Sequence, residues 1–262
     1  MKQTTGLLVL AFASLFTARA SAQATLTLTG TVRDFKAAGE PGGHPDFESS
    51  LSGLVTGIVD STLGVDNTPV YAHGGASFGG VTDASSFASW YHDTPGVNLS
   101  TSYTVTLTET FPASGIYTYS TGAFFPIDGM LFGNYDGFGN NFHFTYQITG
   151  TFSYTAGAAQ VFSFAGDDDV WVFLDDKLAI DLGGVHGSLG ASVALDTFMS
   201  GKPSGDYAFD FFFAERHTTA SNFTMTTSAV IVPEPSSGML LLTGMIATLV
   251  LSRRFRVPRV GQ

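Results

Sequence analysis

From Gln23 to Val232 hydrophobic residues tend to fall on alternate positions, and this period of two most narrowly limits what the chain can fold into. A helix lying on a core needs them three and four apart, whereas a strand needs every second one. Thr25-Leu26-Thr27-Leu28-Thr29 alternates in this way. So do Tyr103, Val105 and Leu107 among threonines, and Phe142, Phe144, Tyr146 and Ile148 against His143, Thr145 and Gln147. Phe152 with Tyr154, Phe162 with Phe164, Val170 to Leu174, Leu178 with Ile180 and Leu182, Tyr207 to Phe213, and Phe223 with Met225 add further strands between Gly, Asp and Asn. Together they predict a single all-β domain over 23–232, an antiparallel, jelly-roll-like β-sandwich. One segment departs from the pattern. Asp83 precedes Phe87, Trp90 and Tyr91 at helical spacing, which predicts a capped helical turn plugging one end of the sandwich.

Cysteine is absent, so packing or a metal must supply what disulfides do elsewhere. A hydrophobic content of 44%, with 24 phenylalanines, leaves ample surface to bury, and 262 residues suit one such domain plus terminal signals. Charge is segregated along the chain. Lys2, Arg19, Arg253, Arg254, Arg256 and Arg259 account for six of the 11 basic residues, while Glu234 alone of the 22 acids lies outside 23–232. The middle therefore holds five bases against 21 acids, a net of −16. Such a surface repels phosphate backbones, which argues against nucleic acid and favours divalent cations and neutral sugars.

Both ends read as addresses. Lys2, an apolar stretch from Gly6 to Phe16 and the small residues Ala20-Ser21-Ala22 predict a cleavable signal peptide over 1–22, hence export. Over 233–262, Pro233-Glu234-Pro235 leads into an apolar segment at about 238–251 and then four arginines. Met239 to Leu251 as a helix spans roughly 20 Å, short of the ~30 Å hydrocarbon core, so flanking serines and snorkelling arginines have to complete a short transmembrane helix. The basic flank keeps the C-terminus cytoplasmic and the body outside. This tail resembles a PEP-CTERM sorting signal, which implies transient anchoring in the inner membrane and processing by exosortase-type machinery; a plain tail anchor is the alternative.

Asp167-Asp168-Asp169 joins the strand ending at Phe164 to the apolar run Val170 to Leu174. Adjacent carboxylates at ~6 Å repel by roughly 3 kcal/mol per pair at an effective dielectric near 20. Solvent offsets this if the turn is merely hydrated. A hard cation with oxygen ligands, calcium above all, offsets it if the side chains converge. Successive strand residues point to opposite faces, so convergence needs a sharp turn or a cis peptide.

Phe162-Ser163-Phe164-Ala165-Gly166-Asp167-Asp168-Asp169-Val170-Trp171-Val172-Phe173-Leu174, followed by Lys177 to Gly187, resembles the signature of the fibro-slime domain. Gly30 to Phe35, His44 to Glu48, Trp90-Tyr91, Phe124 to Gly129, His143 to Tyr146, Phe211 to Thr219 and Ser221-Asn222-Phe223 match in order. That family is similar to the anthrax protective-antigen type of β-sandwich found in flocculins and glycosidases. The resemblance implies that Asp167 and Asp168, joined by a cis peptide, hold Ca²⁺ and that the ion holds sugar hydroxyls. Asp169 stands where many relatives have glycine, which leaves open whether the working pair is shifted by one, so the candidate metal ligands are Asp167, Asp168 and Asp169. Asp176 stands in the hairpin tip where relatives favour glycine, which points to a different turn type. Glu215 and Arg216 either border the ligand cleft or pair with each other, and His186 either contacts ligand or caps its loop. No histidine spacing suits zinc.

Three functions are compatible with these features: an exported, calcium-dependent, carbohydrate-directed adhesion module of the cell surface or matrix, a structural exopolysaccharide-matrix protein, or a glycoside hydrolase. Contiguous aspartates suit an ion better than the facing carboxylates hydrolysis requires. The expectation is therefore a non-enzyme without catalytic residues, whose partner is a glycan.

Overall fold

The computed structural model describes residues 22–48 and 53–234; the expected signal peptide and the tail helix at 238–251 lie outside them, residue 22 apart. Among the described residues no helix is long and apolar enough to cross a membrane. The alternating segments form eleven strands: β1 (Thr25–Phe35), β2 (Asn98–Glu109), β3 (Tyr117–Thr121), β4 (Phe144–Tyr154), β5 (Val161–Gly166), β6 (Asp169–Leu174), β7 (Lys177–Leu182), β8 (Leu189–Ala194), β9 (Gly205–Glu215), β10 (Phe223–Thr227) and β11 (Ile231–Pro233). Two short helices, α1 (Ala84–Ala88) and α2 (Leu195–Phe198), interrupt them.

The strands make one antiparallel sheet rather than the two of the expected sandwich, in the order β7-β6-β9-β4-β1-β2-β3-β10-β5-β8, with β11 added to β4. Its two walls are joined by a ladder of only two pairs, Thr108 with Thr118 and Glu109 with Tyr117. At the far side β7 and β8, the ends of the path, lie against each other, so the sheet is nearly closed into a barrel. The interior is aromatic: Phe124, Phe144, Tyr146, Phe164, Phe211, Phe213 and Phe223 are all buried, with Phe124 and Phe223 ring centroids 4.4 Å apart. Each such side chain contributes on the order of 1.5–3 kcal/mol by leaving water. On the outer face of β1, β2, β3 and β10 threonine and serine replace charge, and their hydroxyls pair across strands, as in Thr29 with Thr104 at 2.9 Å and Ser120 with Thr224 at 2.7 Å.

Strands β6 and β9 are apolar on both faces, as strands buried on both sides are. Val170, Val172, Phe211 and Phe213 face the barrel, while Trp171, Phe173, Phe212 and Ala214 face outward into a second core with Phe47, Phe87, Trp90 and Tyr91. Here the helical expectation needs correction. Asp83 does cap α1, accepting from the Ser85 and Ser86 amides. The helix, however, lies on the outer face of β6 and β9 rather than plugging an end, with the Phe87 ring 5.8 Å from Trp171 and Tyr91 4.9 Å from Phe212. The β6–β7 hairpin also departs from expectation. Leu174 pairs with Lys177 across Asp175 and Asp176, both at positive φ (53° and 63°), which is the type I′ geometry usually given to Asn-Gly.

Phe142–Ile148 and Phe152–Tyr154 belong to one strand, β4, that runs through Gly150. Glycine is there because β11 crosses it: a methyl at 150 would run into the Val232 carbonyl. Gly150→Ala is expected to cost about 1–3 kcal/mol, as overpacking does, and to loosen β11. Urea unfolding with hydrogen exchange at Val232 and Glu234 measures both effects.

Candidate functional site

Strand β5 belongs to one wall and β6 to the other, so the chain between them must cross from wall to wall at one end of the barrel. Gly166 still pairs with Phe223 of β10, and Asp169 already pairs with Ala214 of β9. Only Asp167 and Asp168 are left to make the crossing, and their peptide bond is cis. Both carboxylates line one cleft of about 510 Å³ with Val185, His186, His217 and Asn222. Among the described residues no lysine or arginine lines it.

Each wall holds one of the pair. From the β10 side, the Asn222 backbone amide donates to Asp167 Oδ1 and its side-chain amide to Oδ2 at 2.8 Å. From the other wall, the Arg216 backbone amide donates to Asp168 Oδ2 at 3.0 Å. The loop after β7 closes the set, with the His186 amide donating to Asp168 Oδ1 at 3.1 Å. The rim is steadied by Glu48, which accepts from the Thr218 amide at 3.0 Å and faces both His143 and His217.

Asp169 is turned elsewhere, and this separates it from the expected metal set. Starting β6 on its outward face, it is fully buried, and Arg216 grips it with Nε at 2.6 Å and Nη2 at 3.1 Å. The Gly184 amide donates to it as well. Arg216 in turn donates to the carbonyls of Gly79 and Gly80, both at 3.1 Å, and lies 4.9 Å from the Trp90 ring centroid. This side chain thus staples the outer layer to the sheet and does not border the cleft. Its sequence neighbour Glu215 does not border it either. Glu215 points inward at 0% exposure, with one carboxyl oxygen, like the Ser221 hydroxyl, lacking a partner. Burial, with the Asp168 charge nearby, raises the Glu215 carboxyl well above the usual carboxylate range. His186 does line the cleft, while its imidazole faces the carbonyls of Gly187 and Leu182, which secures its loop.

Asn222 and His217 carry no binding signal in the sequence beyond their place in the polar stretch between the apolar runs of β9 and β10, which is otherwise an ordinary turn. No group of three or more acidic or histidine side chains among the described residues is placed to hold a metal by itself. An ion held at Asp167 and Asp168 would have to complete its shell with oxygens from outside this pair.

Burial raises several carboxyls far above the ordinary 3.8: Asp34 to about 7, Asp210 to about 7 and Asp168 to about 8, in each case mainly through desolvation. The unfolded chain gives up these protons near pH 4, whereas the folded chain keeps them to pH 7 or 8. Stability in metal-free buffer therefore falls as pH rises through that window, by up to ~1.4 kcal/mol per unit for each group. The urea midpoint is expected to be lower at pH 8 than at pH 5, and Asp34→Asn to flatten the slope.

Residues 132–232 match the PA14 domain family. Among curated proteins of Dictyostelium discoideum, protein psiR is 40% identical over 235 residues, covering 85% of this chain and 23% of psiR. Protein psiQ is 39% identical over 234 residues, covering 84% and 23%. Protein psiC is 39% identical over 221 residues, covering 79% and 41%. This chain thus spans well under half the length of these relatives. Among solved structures, the PA14 domain of the MpAFP antifreeze protein aligns at a TM-score of 0.31 and 13% identity, covering 82% of this chain and 86% of that one.

Proposed function

We propose that this chain is an exported, calcium-dependent, carbohydrate-directed binding module of the cell surface or extracellular matrix. One observation carries the reading: two consecutive carboxylates and the Asn222 side chain line one cleft in which, among the described residues, no lysine or arginine stands to neutralise the acids. Asp167 and Asp168 would hold the ion. Asn222 and loop carbonyls would add to its shell, and the open side of the cleft would offer its remaining positions to vicinal hydroxyls of a sugar. The PA14 match over 132–232 supports the same class. The fibro-slime resemblance, the signal peptide at 1–22 and the Pro-Glu-Pro tail with its exosortase-type processing are part of the same proposal, since they would deliver the module outside the cell.

A serine-nucleophile chemistry is disfavoured by a further observation. The arrangement closest to a catalytic triad, Ser89 with His44 and Asp46, is oriented against catalysis. The Asp46 backbone amide donates to His44 Nδ1, so the ring proton sits on Nε2 and points toward Ser89 Oγ, 2.8 Å away. A nucleophilic serine needs the opposite tautomer.

Calorimetric titration of the purified protein with calcium, followed by a glycan array with and without EDTA, tests the proposal. Saturable heat and chelator-sensitive retention of particular glycans are expected. Array signals indifferent to EDTA would rule out calcium-dependent recognition.

A further inference from the structure

Five residues back along β9 from Glu215, on the order of 17 Å away, a second acidic cleft opens. Its floor is Asp210, which pairs with Thr149 of β4 on one side and Phe173 of β6 on the other, and shares the outward face of β9 with Phe212. The loop carrying Asp66 shares in lining the space above it, leaving Asp210 only 5% exposed. The cleft, about 260 Å³, is lined by Asp66, Gln147, Thr149, Asp176 and Glu234 as well as Asp210. Among the described residues no lysine, arginine or histidine lines it.

Asp210 differs in kind from an ordinary surface acid. Asp66 has Thr68 and His92 as partners, whereas the Asp210 carboxylate has neither a hydrogen bond nor an ion pair among the described residues. A buried carboxylate in that condition either keeps its proton or requires a cation. Burial is the main cause of its raised pKa, and the charges of Asp176 and Glu234 add to it. The neighbours decide which kind of cation fits. The lining offers the carboxylates of Asp66, Asp176, Asp210 and Glu234 and the Thr149 hydroxyl, and among the described residues no histidine or sulfur residue lines it, which suits a hard divalent ion and not zinc or copper.

We propose that this cleft is a second divalent-cation site, of the calcium or magnesium class, separate from the Asp167–Asp168 cleft. No trio of acids here is close enough to clasp a bare ion. The ion therefore keeps part of its water, bound directly by Asp210 and through water by Asp176 and Glu234. Affinity in the range of extracellular modules, about 10⁻⁴–10⁻³ M, follows from so hydrated a shell. Its structural effect falls on the ends of two segments. Asp176 sits in the β6–β7 turn, and Glu234 follows β11, where its amide donates to the Thr149 carbonyl at 3.0 Å. A cation shared between them ties both to β9.

The test uses the full chain carrying Asp167→Asn and Asp168→Asn, so that the first cleft contributes nothing. Thermal melts in EDTA, in millimolar calcium or magnesium chloride, and in sodium chloride of equal ionic strength are compared. Calcium is expected to raise the midpoint above the sodium control. Adding Asp210→Asn should abolish that rise while itself raising the midpoint in EDTA, because the uncompensated buried acid is gone. In the otherwise wild-type chain, calorimetry should show two calcium sites falling to one with Asp210→Asn alone. The proposal is overturned if calcium and sodium shift the melt equally, or if Asp210→Asn leaves the calcium shift or the stoichiometry intact.

Discussion

Arg216→Ala is expected to destabilise the domain by about 3–5 kcal/mol, the usual cost of breaking a buried ion pair on one side. The loss follows from what the guanidinium holds. Without it Asp169 stays fully buried with the Gly184 amide as its one remaining partner, the Gly79 and Gly80 carbonyls lose their donors, and Trp90 loses the cation over its ring. Domains of this kind hold about 5–15 kcal/mol in total, so a loss of this size removes a large part of the reserve and should lower the urea midpoint markedly. Arg216→Lys should not rescue it, since a single ammonium cannot bridge a carboxylate and two carbonyls as the planar fork does. Both tryptophans of the chain, Trp90 and Trp171, lie in the outer core that Arg216 staples down. Tryptophan fluorescence during urea unfolding is therefore a direct readout, and a variant with wild-type midpoint would show that the ion pair is structurally idle.

Asp167→Ala with Asp168→Ala is expected to behave in the opposite way. The fold should survive, because these carboxylates are held by backbone amides and one amide side chain with no buried cation depending on them. Calcium affinity at the cleft should fall at least 100-fold, as befits removal of the only two acids lining it, and chelator-sensitive glycan retention should disappear. Far-UV circular dichroism establishes folding and calorimetry reads the ion. Asp169→Ala, one residue further, should resemble Arg216→Ala instead. Three adjacent aspartates would thus divide into two that bind and one that supports, and equal calcium affinity across all three variants would sink the assignment.

The separation of roles among these aspartates shows how far the residues could be read in order. Alternation is a local property, so Leu26 with Leu28, Val105 with Leu107 and Phe144 with Tyr146 announced their strands correctly. Strands β3, β8 and β11 were missed because they are short and half exposed or, like β11, too brief to show a period. The apolar runs Val170 to Leu174 of β6 and Phe211 to Ala214 of β9 signalled burial on both faces, yet nothing nearby said that α1 and Trp90 would supply the outer cover.

Composition and pattern alone thus determined an antiparallel all-β body, its acidity, and the presence of an aspartate cluster where one strand gives way to the next. Only the folded chain decided that the two walls are one sheet, that Asp169 faces Arg216 while Asp167 and Asp168 face a cleft, and that Asn222 joins them. The reason is physical: alternation and turn preference act between neighbours, whereas Arg216 and Asn222 lie 47 and 55 residues beyond their aspartates and meet them only when β9 and β10 close around the crossing.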